Sequence, residues 1–565
     1  MVHETSLCGC EGFKRSFLRI EALFKAVVKR VDMMKNERED FEASSDANSL
    51  AQLHSLFLRH GLLSSPNSFF ATRLVSSYSK LCSSALARKL FDEISHPNTF
   101  LWNAILRAHC RAKQWGETLA LLRRMASNPS DLDSFTLSIA LKACAPLSAS
   151  PHGRAVHAVA VRRDFLRSDI FVAGALVEMY AKSREMGDAV KVFEIIAEPD
   201  VVLWTAVVSG YQQNGNAEDA RSFFFRMVVE NHVIPNSVTL VSAVGALAQL
   251  GDARGGRCCH GFLLRIGFDH DVSLMNSILN FYAKIGAVRI ARKVFDKMPD
   301  RDVISWSCLI SCYARNGEPI AALRVYKKMT EIGLEPNSVT MVGALQACSL
   351  SRDLQQGRRI HELAIQTGFE LDKSVATALI DMYMNCSCFK EAIHLFHRMP
   401  ARDTVAWAAA INGCAKNGFA SKSLKLFKTM LLEKTNPDAV TMVKVSAACS
   451  LLGVLCQARC LHGYLIRSGF SDKIFVGSAL LDLYSKCGSI DDAVSIFESF
   501  SERDAVLWSA MVAGYGVNGH GKKAMAAFES MIESSIRPTN ITFISVLSSC
   551  SHNGMVQEEE GCSTA

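Results

Sequence analysis

Long apolar runs are absent from this 565-residue sequence, since none approaches the ~18 residues that a membrane-spanning helix requires. That absence predicts a soluble chain with no membrane partner. The 19 cysteines include no Cys-x-x-Cys motif, so the paired ligand spacing of a zinc site is missing. We therefore expect no metal and no cofactor, and a reducing compartment rather than a disulfide framework.

A large excess of charge of one sign is also lacking. Lysine plus arginine number 62, against 55 for aspartate plus glutamate, which gives a net charge of +7. Spread over so long a chain, this mild basic excess permits a polyanionic partner but does not require one. The nature of the partner therefore has to come from sequence patterns.

Tryptophan is rare, yet five of the six tryptophans stand at nearly equal intervals of 102, 102, 101 and 101 residues. Each lies in a near-copy of one phrase, such as DVVLWTAVVSGYQQNG or DVISWSCLISCYARNG. A period that is held four times indicates an array of stacked repeats with one continuous core. The periodic residues are Trp102, Trp204, Trp306, Trp407 and Trp508.

Histidines follow the same period at His54, His157, His260, His361 and His462. All but His157, where Asp164 replaces the glycine, open an H-x6-G pattern. Equivalent residues of stacked repeats form a row rather than a cluster, and no acidic or cysteine partner stands at ligand spacing. This favours a role in packing or at a helix start over catalysis. The tryptophans could stack on bases, but their apolar surroundings favour a place in the core.

Each period contains three sub-repeats, and each sub-repeat reads as two helices. In 272–302, Leu274, Ile278 and Tyr282 step by four along a first helix. Gly286 allows the turn. The second stripe then comprises Ile290, Ala291, Val294, Phe295 and Met298, and Pro299 stops it. Two such short helices cannot bury both faces alone, so they must stack on neighbouring pairs.

Alignment of the sub-repeats gives three kinds of copy, which we call short, tryptophan and histidine copies. The short copies have 31 residues and run 68–98, 170–200, 272–302, 373–403 and 474–504. The tryptophan copies run 99–133, 201–236, 303–337, 404–438 and 505–539. The histidine copies run 134–169, 237–271, 338–372 and 439–473.

The predicted organisation is all-α, with about fourteen full helix-turn-helix copies and partial ends. Residues 1–45 form an N-terminal extension, in which the basic segment 13–31 resembles an organelle-targeting helix despite several acidic residues. Residues 46–67 form a degenerate copy, and 68–539 the tandem array. Residues 540–565 begin a truncated long copy of the histidine kind.

The phrases W-x-x-x-[IV]-x-[GC]-[YC]-x-x-N-G, then A-L-x-[LV]-[FY]-x-x-M, then P-[ND], resemble pentatricopeptide repeats. The early Trp-x-x-Leu-Gly of tetratricopeptide repeats is absent. The alternation of copy lengths is similar to the plant P-L-S subfamily. This resemblance implies a right-handed α-solenoid that binds single-stranded RNA sequence-specifically in a mitochondrion or, alternatively, a chloroplast. It also implies that each repeat contacts one base through two or three side chains.

The resemblance assigns base recognition to the fifth residue of the first helix and the last residue of the copy, here called the fifth–last pair. We expect the fifth residue to face a groove, away from the stacking stripe, and to meet the last residue at one base edge. Capping of the following helix is an alternative role for the last residue. The predicted base-contact residues are Thr72, Asn98, Asn103, Asp133, Asp200, Thr205, Asn236, Asn276, Asp302, Ser307, Asn337, Thr377, Asp403, Asp438, Ser478 and Asp504.

In the family's code, Thr or Ser with Asn favours A, Thr or Ser with Asp favours G, and Asn with Asp favours U. The array then specifies, 5′ to 3′, A-U-n-n-A-n-U-A-n-G-n-n-G-n. No base is assigned to histidine copies or to three departures from the pattern, which are Gly174, Ala408 and the pair Ser509/Thr539.

The P-L-S resemblance favours a specificity factor for organellar C-to-U editing. The zinc deaminase motifs His-x-Glu and Cys-x-x-Cys do not follow residue 540, so we expect no enzymatic activity here and a deaminase or editing-complex protein acting in trans. An RNA stability, splicing or translation factor is the alternative. A protein-binding scaffold of the tetratricopeptide sort is a more remote one.

Overall fold

The computed structural model describes residues 42–59, 69–80, 84–94, 97–126, 132–147 and 149–552. These residues form helices joined by short turns, and no strand occurs among them. The chain divides into two compact units, Met1–Phe281 and Tyr282–Ala565. Within each unit the helices stack as successive pairs, which confirms the expected all-α solenoid of helical repeats. The proposed targeting segment 13–31 lies outside the described residues.

Every copy from residue 68 onward begins with a first helix of 11 to 14 residues. These first helices are Phe69–Lys80, Thr99–Arg111, Ser134–Cys144, Ile170–Lys182, Val201–Gln213, Ser237–Leu250, Val272–Lys284, Val303–Arg315, Ser338–Ser351, Lys373–Asn385, Thr404–Lys416, Ala439–Leu452, Ile474–Lys486, Ala505–Val517 and Asn540–His552.

All but the last first helix are followed, within the described residues, by a second helix. The second helices are Ser84–Asp92, Trp115–Met125, Ser150–Arg162, Met186–Glu194, Ala217–Phe225, Ala253–Ile266, Val288–Lys297, Pro319–Glu331, Leu354–Gln366, Phe389–Arg398, Ala420–Leu432, Leu455–Arg467, Ile490–Ser499 and Gly521–Glu533. A π-helical turn, Arg226–Glu230, prolongs one of them. The short helical segments Phe165–Ser168 and Phe268–His270 follow two others.

The helix Glu42–Arg59 precedes the first copy and shifts one predicted boundary. It begins four residues before the degenerate copy predicted over 46–67, so that boundary falls inside a helix. Leu50, Leu53 and Phe57 are buried and step by three and four, as one face of a helix does. The apolar stripe therefore identifies this helix, whereas the polar residues that open it carry no such periodicity.

The copy 303–337 shows why the sequence forms these pairs. Asp302 accepts the backbone N–H of Ser305 at 2.8 Å and so caps the first helix. Gly317, at φ +77°, makes the turn, and Pro319 opens the second helix at a position where its missing N–H has no partner to lose. Each helix buries one apolar stripe, and each large apolar side chain buried contributes roughly 1.5–3 kcal/mol.

The stripes predicted over 272–302 are largely correct. Helices Val272–Lys284 and Val288–Lys297 flank Gly286, which has φ +74°. All the predicted stripe residues are buried except Ile290, which is 37% exposed. Ile290 was predicted wrongly because it stands one residue before Ala291 at the edge of the stripe, and a helix rotates by about 100° per residue.

The asparagine of the N-G phrase joins four of the five tryptophan copies to the copy before it, whereas the copy 99–133 has Ala112 at this position. The Asn417 side chain donates to the carbonyl oxygens of Gly413, in its own helix, and of Met384, in the preceding first helix, at 2.8 and 2.9 Å. Asn214, Asn316 and Asn518 make the equivalent bonds. One amide therefore adds a second hydrogen bond to carbonyl groups near the ends of two helices, and it links those helices directly.

The five periodic tryptophans are buried, which confirms their expected place in the core. Trp407 meets Phe396 edge-on, with ring centroids 4.8 Å apart. The Arg402 guanidinium lies 5.8 Å from the Trp407 ring and donates to the carbonyls of Phe396 and His397, which end the preceding second helix. The tryptophan thus packs its copy against the short copy before it.

The periodic histidines pack within second helices and do not lie at helix starts. The Nδ1 atoms of His54, His157, His361 and His462 lie 2.8–3.1 Å from the hydroxyls of Tyr78, Tyr180, Tyr383 and Tyr484. Each tyrosine belongs to the next short copy. The rows are therefore structural links between copies, as the absence of ligand spacing suggested.

These histidines should make folding stability sensitive to mild acid. Burial lowers the pKa of His462 despite the nearby charge of Asp492. The unfolded chain then takes up protons first as the pH falls below ~6.5, so the free energy of unfolding should decrease from there toward the folded pKa. Urea unfolding at pH 7.5, 6.5 and 5.5 measures this. His462→Gln should weaken the dependence, and an unchanged slope in that variant would contradict the assignment.

Candidate nucleic-acid interface

The last residues that were predicted to contact bases all cap the helix that follows. Each side chain accepts the backbone N–H three residues ahead, at 2.7–3.0 Å. These caps are Asn98, Asp133, Asp200, Asn236, Asp302, Asn337, Asp403, Asp438 and Asp504. These last residues therefore do cap the following helices, which was the alternative role considered for them. A cap uses one oxygen, and the second polar atom of each side chain remains for other contacts.

The fifth residues lie deeper than expected. We expected them to face a groove away from the stacking stripe, but Asn103, Thr205, Asn276, Ser307 and Ser478 are all less than 10% exposed. Thr72 and Thr377 are half-buried. A residue at this position points toward the next first helix, because consecutive first helices pack side by side. The fifth side chains therefore form the floor of the groove and not its rim.

In the tryptophan copies, two fifth–last pairs are in direct contact. The Asn103 amide donates to both carboxylate oxygens of Asp133, at 3.1 and 3.0 Å. Ser307 and Asn337 approach to 3.4 Å. Thr205 does not contact Asn236 directly, but Thr239 lies within hydrogen-bonding distance of both. The sequence-predicted partners are thus brought to one place.

In the short copies 373–403 and 474–504, the two members of the pair do not bond to each other. The hydroxyls of Thr377 and Ser478 donate to carbonyls one turn earlier in their own helices, at 2.7 and 3.1 Å. Asp403 and Asp504 accept only the capping N–H. The members of these two pairs are therefore held independently, and in the second pair Asp504 is exposed whereas Ser478 is buried.

Two cavities contain predicted pairs. One, of about 440 Å³, is lined by Thr377 and Asp403 together with Val405 and the amines of Lys373 and Lys444. The other, of about 540 Å³, lies in the N-terminal unit and contains Gly174, Asp200, Thr205 and Asn236. Both cavities combine a polar floor with apolar walls, an arrangement that suits a planar base with a hydrogen-bonding edge.

The apolar walls come from residues that sequence reasoning missed. The second residue of most first helices is a large apolar side chain that is 48–78% exposed. Phe171, Val202 and Val238 line the larger cavity and Val405 the smaller. An apolar residue repeated one position away from the stripe was the available signal. The set is Phe100, Phe135, Phe171, Val202, Val238, Ile304, Val339, Val405, Val440, Phe475, Val506 and Ile541.

The electrostatics at one cap, Asp438, favour its ionised form beside a cation. Although burial opposes ionisation of Asp438, hydrogen bonds from Thr441 and the charge of Lys444 lower the pKa of its carboxyl group. The first helices frequently end on an exposed cation, such as Lys182, Arg315, Lys416 or Lys486. Cations beside the cavities suit a phosphate backbone, while the pairs offer donors and acceptors that differ from copy to copy.

Among the described residues, no group of histidine, cysteine, aspartate and glutamate side chains is arranged to hold a metal ion. No described helix has the length and apolar character needed to cross a bilayer.

Comparison with known families matches the repeated copies directly. A model described as PPR repeat family matches residues 97–145 and 301–349. A second, described as PPR repeat, matches 202–232, 273–303, 374–403, 405–434, 478–504 and 506–536. These matches coincide with tryptophan and short copies, and the first model continues into histidine copies.

Related whole proteins are found in Arabidopsis thaliana. A chloroplastic pentatricopeptide repeat-containing protein is 35% identical over 521 residues, which cover 92% of this chain and 64% of that protein. A mitochondrial one is 35% identical over 516 residues, which cover 91% of this chain and 74% of that protein. The chain thus spans less than two thirds of the length of the chloroplastic relative.

A solved structure shares the fold. The crystal structure of the maize pentatricopeptide repeat protein PPR10 superposes with a TM-score of 0.54 at 18% identity, covering 99% of this chain and 90% of that one. The same maize protein has also been solved in complex with an 18-nucleotide psaJ RNA element, and that structure matches with a TM-score of 0.48. From the periodic copies, their helix pairs and the relatives that share them, the chain belongs to the pentatricopeptide repeat family.

Proposed function

We propose that the chain binds single-stranded RNA in a plant organelle and selects its target by sequence. The observation that carries this proposal is the coincidence of fifth–last pairs with cavities that have apolar walls and flanking lysines. Apolar walls contact base faces in any sequence, whereas the pair can distinguish base edges. The maize neighbour's complex with RNA concerns that protein, and family membership extends the expectation to this one.

The caps supply a physical basis for discrimination. A backbone N–H can only donate, so the atom facing it must be the Oδ1 oxygen of the capping side chain. The outward atom is then Nδ2, a donor, in Asn236 or Asn337, and Oδ2, an acceptor, in Asp403 or Asp504. Asparagine and aspartate at the last position therefore present opposite chemistry to a base, as the A-against-G distinction of the code requires.

Within RNA metabolism, we place the chain as a specificity factor for C-to-U editing, with the deaminase provided by another protein. The alternation of short, tryptophan and histidine copies, which resembles the P-L-S subfamily, supports this choice. The relatives, one named chloroplastic and one mitochondrial, support an organellar location. Sequencing organellar transcripts from a loss-of-function line tests the editing role: an unconverted C just 3′ of a matching site supports it, and unaltered editing at every such site contradicts it.

RNA binding itself is tested by titrating the full chain with the fourteen-nucleotide RNA A-U-n-n-A-n-U-A-n-G-n-n-G-n and with a shuffled version. Binding should prefer the first RNA and weaken as salt rises, because contacts to phosphates release counterions. Equal binding of both RNAs, or no binding at low salt, would exclude sequence-specific recognition.

Gly174 offers a gain-of-function test of the pairs. The copy 170–200 has the acceptor Asp200 but no fifth side chain, and a Cβ atom added at Gly174 meets no other atom within 4 Å. Gly174→Asn should therefore fold normally, with a stabilisation of up to about 1 kcal/mol from removing a helix glycine. It should also create a preference for U at the fourth nucleotide, measured by binding RNAs that differ there. Gly174→Ala is the matched control, and a variant that gains no preference would argue against the pair.

A further inference from the structure

Five threonines occupy one position that neither the code nor the cavities account for. Each is the third residue of the first helix that follows a tryptophan copy, and each has no exposed surface. They are Thr136, Thr239, Thr340, Thr441 and Thr542. A buried hydroxyl costs free energy unless it is hydrogen-bonded, so its partners show what the position does.

Thr340 bridges the two members of a fifth–last pair. Its N–H and its Oγ1 hydroxyl both donate to Oδ1 of Asn337 at 2.9 Å, and the same Oγ1 lies 2.6 Å from Oγ of Ser307. Thr239 stands in the same relation to Asn236 and Thr205, with the two hydroxyl oxygens 2.5 Å apart. The bridge thus recurs in both units.

The bridge persists where the fifth residue is an asparagine. Thr136 lies 2.7 Å from Oδ1 of Asn103 and 2.7 Å from Oδ1 of Asp133. Because Oδ1 of Asn103 meets this hydroxyl, the amide Nδ2 is directed toward Asp133 and the groove. The hydroxyl therefore determines which way the amide of the fifth residue faces.

The number of hydroxyl protons determines whether a bridged serine can donate to a base or only accept from it. Ser307 also lies 2.7 Å from the carbonyl of Val303, which can only accept, as can Oδ1 of Asn337. Ser307 and Thr340 have one hydroxyl proton each, and every arrangement of these contacts uses both protons inside the protein. Toward the groove, Ser307 is then an acceptor, and Asn337 presents the donor Nδ2.

We propose that these threonines are positioning residues that hold the fifth and last residues of the tryptophan copies in one fixed donor–acceptor pattern. This proposal rests on the proposed RNA binding and extends it to residues outside the code. Four short copies are followed by a residue without a hydroxyl at the equivalent position, namely Leu101, Leu203, Ala406 or Leu507. The exception is Ser305, which follows the short copy 272–302 and donates to Oδ1 of Asp302 at 2.8 Å. Bridged pairs are therefore preorganised, so less ordering of side chains accompanies base binding than in those four short copies.

Thr441 is a control within the same chain, because it shares the packing and capping role of Thr340 but has no fifth-residue hydroxyl or amide to hold. Thr441 is equally buried and caps through Asp438, whose Oδ1 lies 2.6 Å from its hydroxyl, but the fifth residue of that copy is Ala408. No bridge to a fifth residue can form there. Loss of the hydroxyl should therefore affect packing and capping at both Thr340 and Thr441. It should affect base discrimination only at Thr340, where the bridge to a fifth residue exists.

The experiment compares Thr340→Val, Thr340→Ser and Thr441→Val in the full chain. Each is titrated with fourteen-nucleotide RNAs carrying A or U at the eighth nucleotide, which faces the Ser307/Asn337 pair, and melted in parallel. Thr340→Val should reduce the preference for A about fivefold, as expected for the loss of one buried hydrogen bond. Thr340→Ser, which keeps the hydroxyl, should retain the preference, and Thr441→Val should leave it unchanged.

An unchanged preference in folded Thr340→Val would overturn the positioning role while leaving RNA binding intact. The positioning role would also be overturned if Thr340→Val and Thr441→Val both lost stability and if each bound the A and U RNAs with equally weakened affinity. If the unsubstituted chain bound both RNAs with equal affinity, the proposed function would itself fail at this copy, and the positioning role with it.

Discussion

Replacing Asn276 with threonine should change the base preferred by the copy 272–302 from U to G. Its partner Asp302 remains an acceptor at the cap, so the substitution converts an Asn/Asp pair into the Thr/Asp combination already present as Thr377/Asp403. Threonine is smaller than asparagine, and Asn276 is only 6% exposed, so the variant should fold. A good base contact discriminates by ~1–3 kcal/mol, which corresponds to roughly a five- to 150-fold change in affinity ratio.

The measurement is the dissociation constant for four RNAs that differ only at the seventh nucleotide. Preference at the second nucleotide, assigned to Asn103 and Asp133, should not change and serves as the internal control. A variant that still preferred U, or that lost affinity for all four RNAs equally, would show that Asn276 does not contact the base as the code requires.

Replacing Trp407 with alanine should produce the largest loss of stability in this account. Trp407 is 1% exposed, contacts Phe396 edge-on and lies beside the Arg402 guanidinium. Truncation removes this packing and leaves a cavity between copies 373–403 and 404–438, so the free energy of unfolding should fall by about 3–5 kcal/mol. Because each copy contacts only its neighbours, the effect should be concentrated in those two copies.

Urea unfolding together with hydrogen exchange measures this effect. Amides in Phe389–Arg398 and Thr404–Lys416 should lose protection before those of distant copies. The matched control is Trp115→Ala, because Trp115 lies outside the periodic series and is only partly buried. If the two variants were equally destabilised, the periodic tryptophans would have no special part in joining the copies.

Much of the fold follows from the sequence because the same contacts are repeated. The Trp407 position recurs in every tryptophan copy and the Asn417 position in four of the five, so the period, the copy boundaries and the burial of the tryptophans were predictable. Single residues at the edge of a stripe were less predictable. Ile290 is apolar and adjacent to a buried alanine, yet it faces outward because periodicity fixes the face of a helix only to within one residue.

The pairs were predictable as positions, but their environment was not. Counting five residues from the start of the copy places Ser307 on the first helix. The count does not show that the Thr340 hydroxyl, in the next copy, lies 2.6 Å from the Ser307 hydroxyl. That contact depends on how far consecutive first helices are displaced along each other, which no pattern within one copy records. The sequence also presented capping and base contact as alternatives for Asp403, whereas a capping carboxylate retains a second oxygen for another donor.

The exposed apolar row illustrates the same limitation. Val202 and Val405 are common helix residues, and only the cavities show them beside fifth–last pairs. A valine at the second position of a helix carries no signal by itself. Its repetition outside the buried stripe becomes informative once the first helices are placed side by side, with an apolar wall next to each polar pair.

Selection of bound RNAs from a random single-stranded pool by the full chain tests the central claim most directly. The account predicts enrichment of U at the second and seventh positions, A at the first, fifth and eighth, and G at the tenth and thirteenth, in the order A-U-n-n-A-n-U-A-n-G-n-n-G-n. Positions assigned to histidine copies should show weaker enrichment. A pool without positional preference, or an enriched motif unrelated to this order, would contradict recognition through the fifth–last pairs.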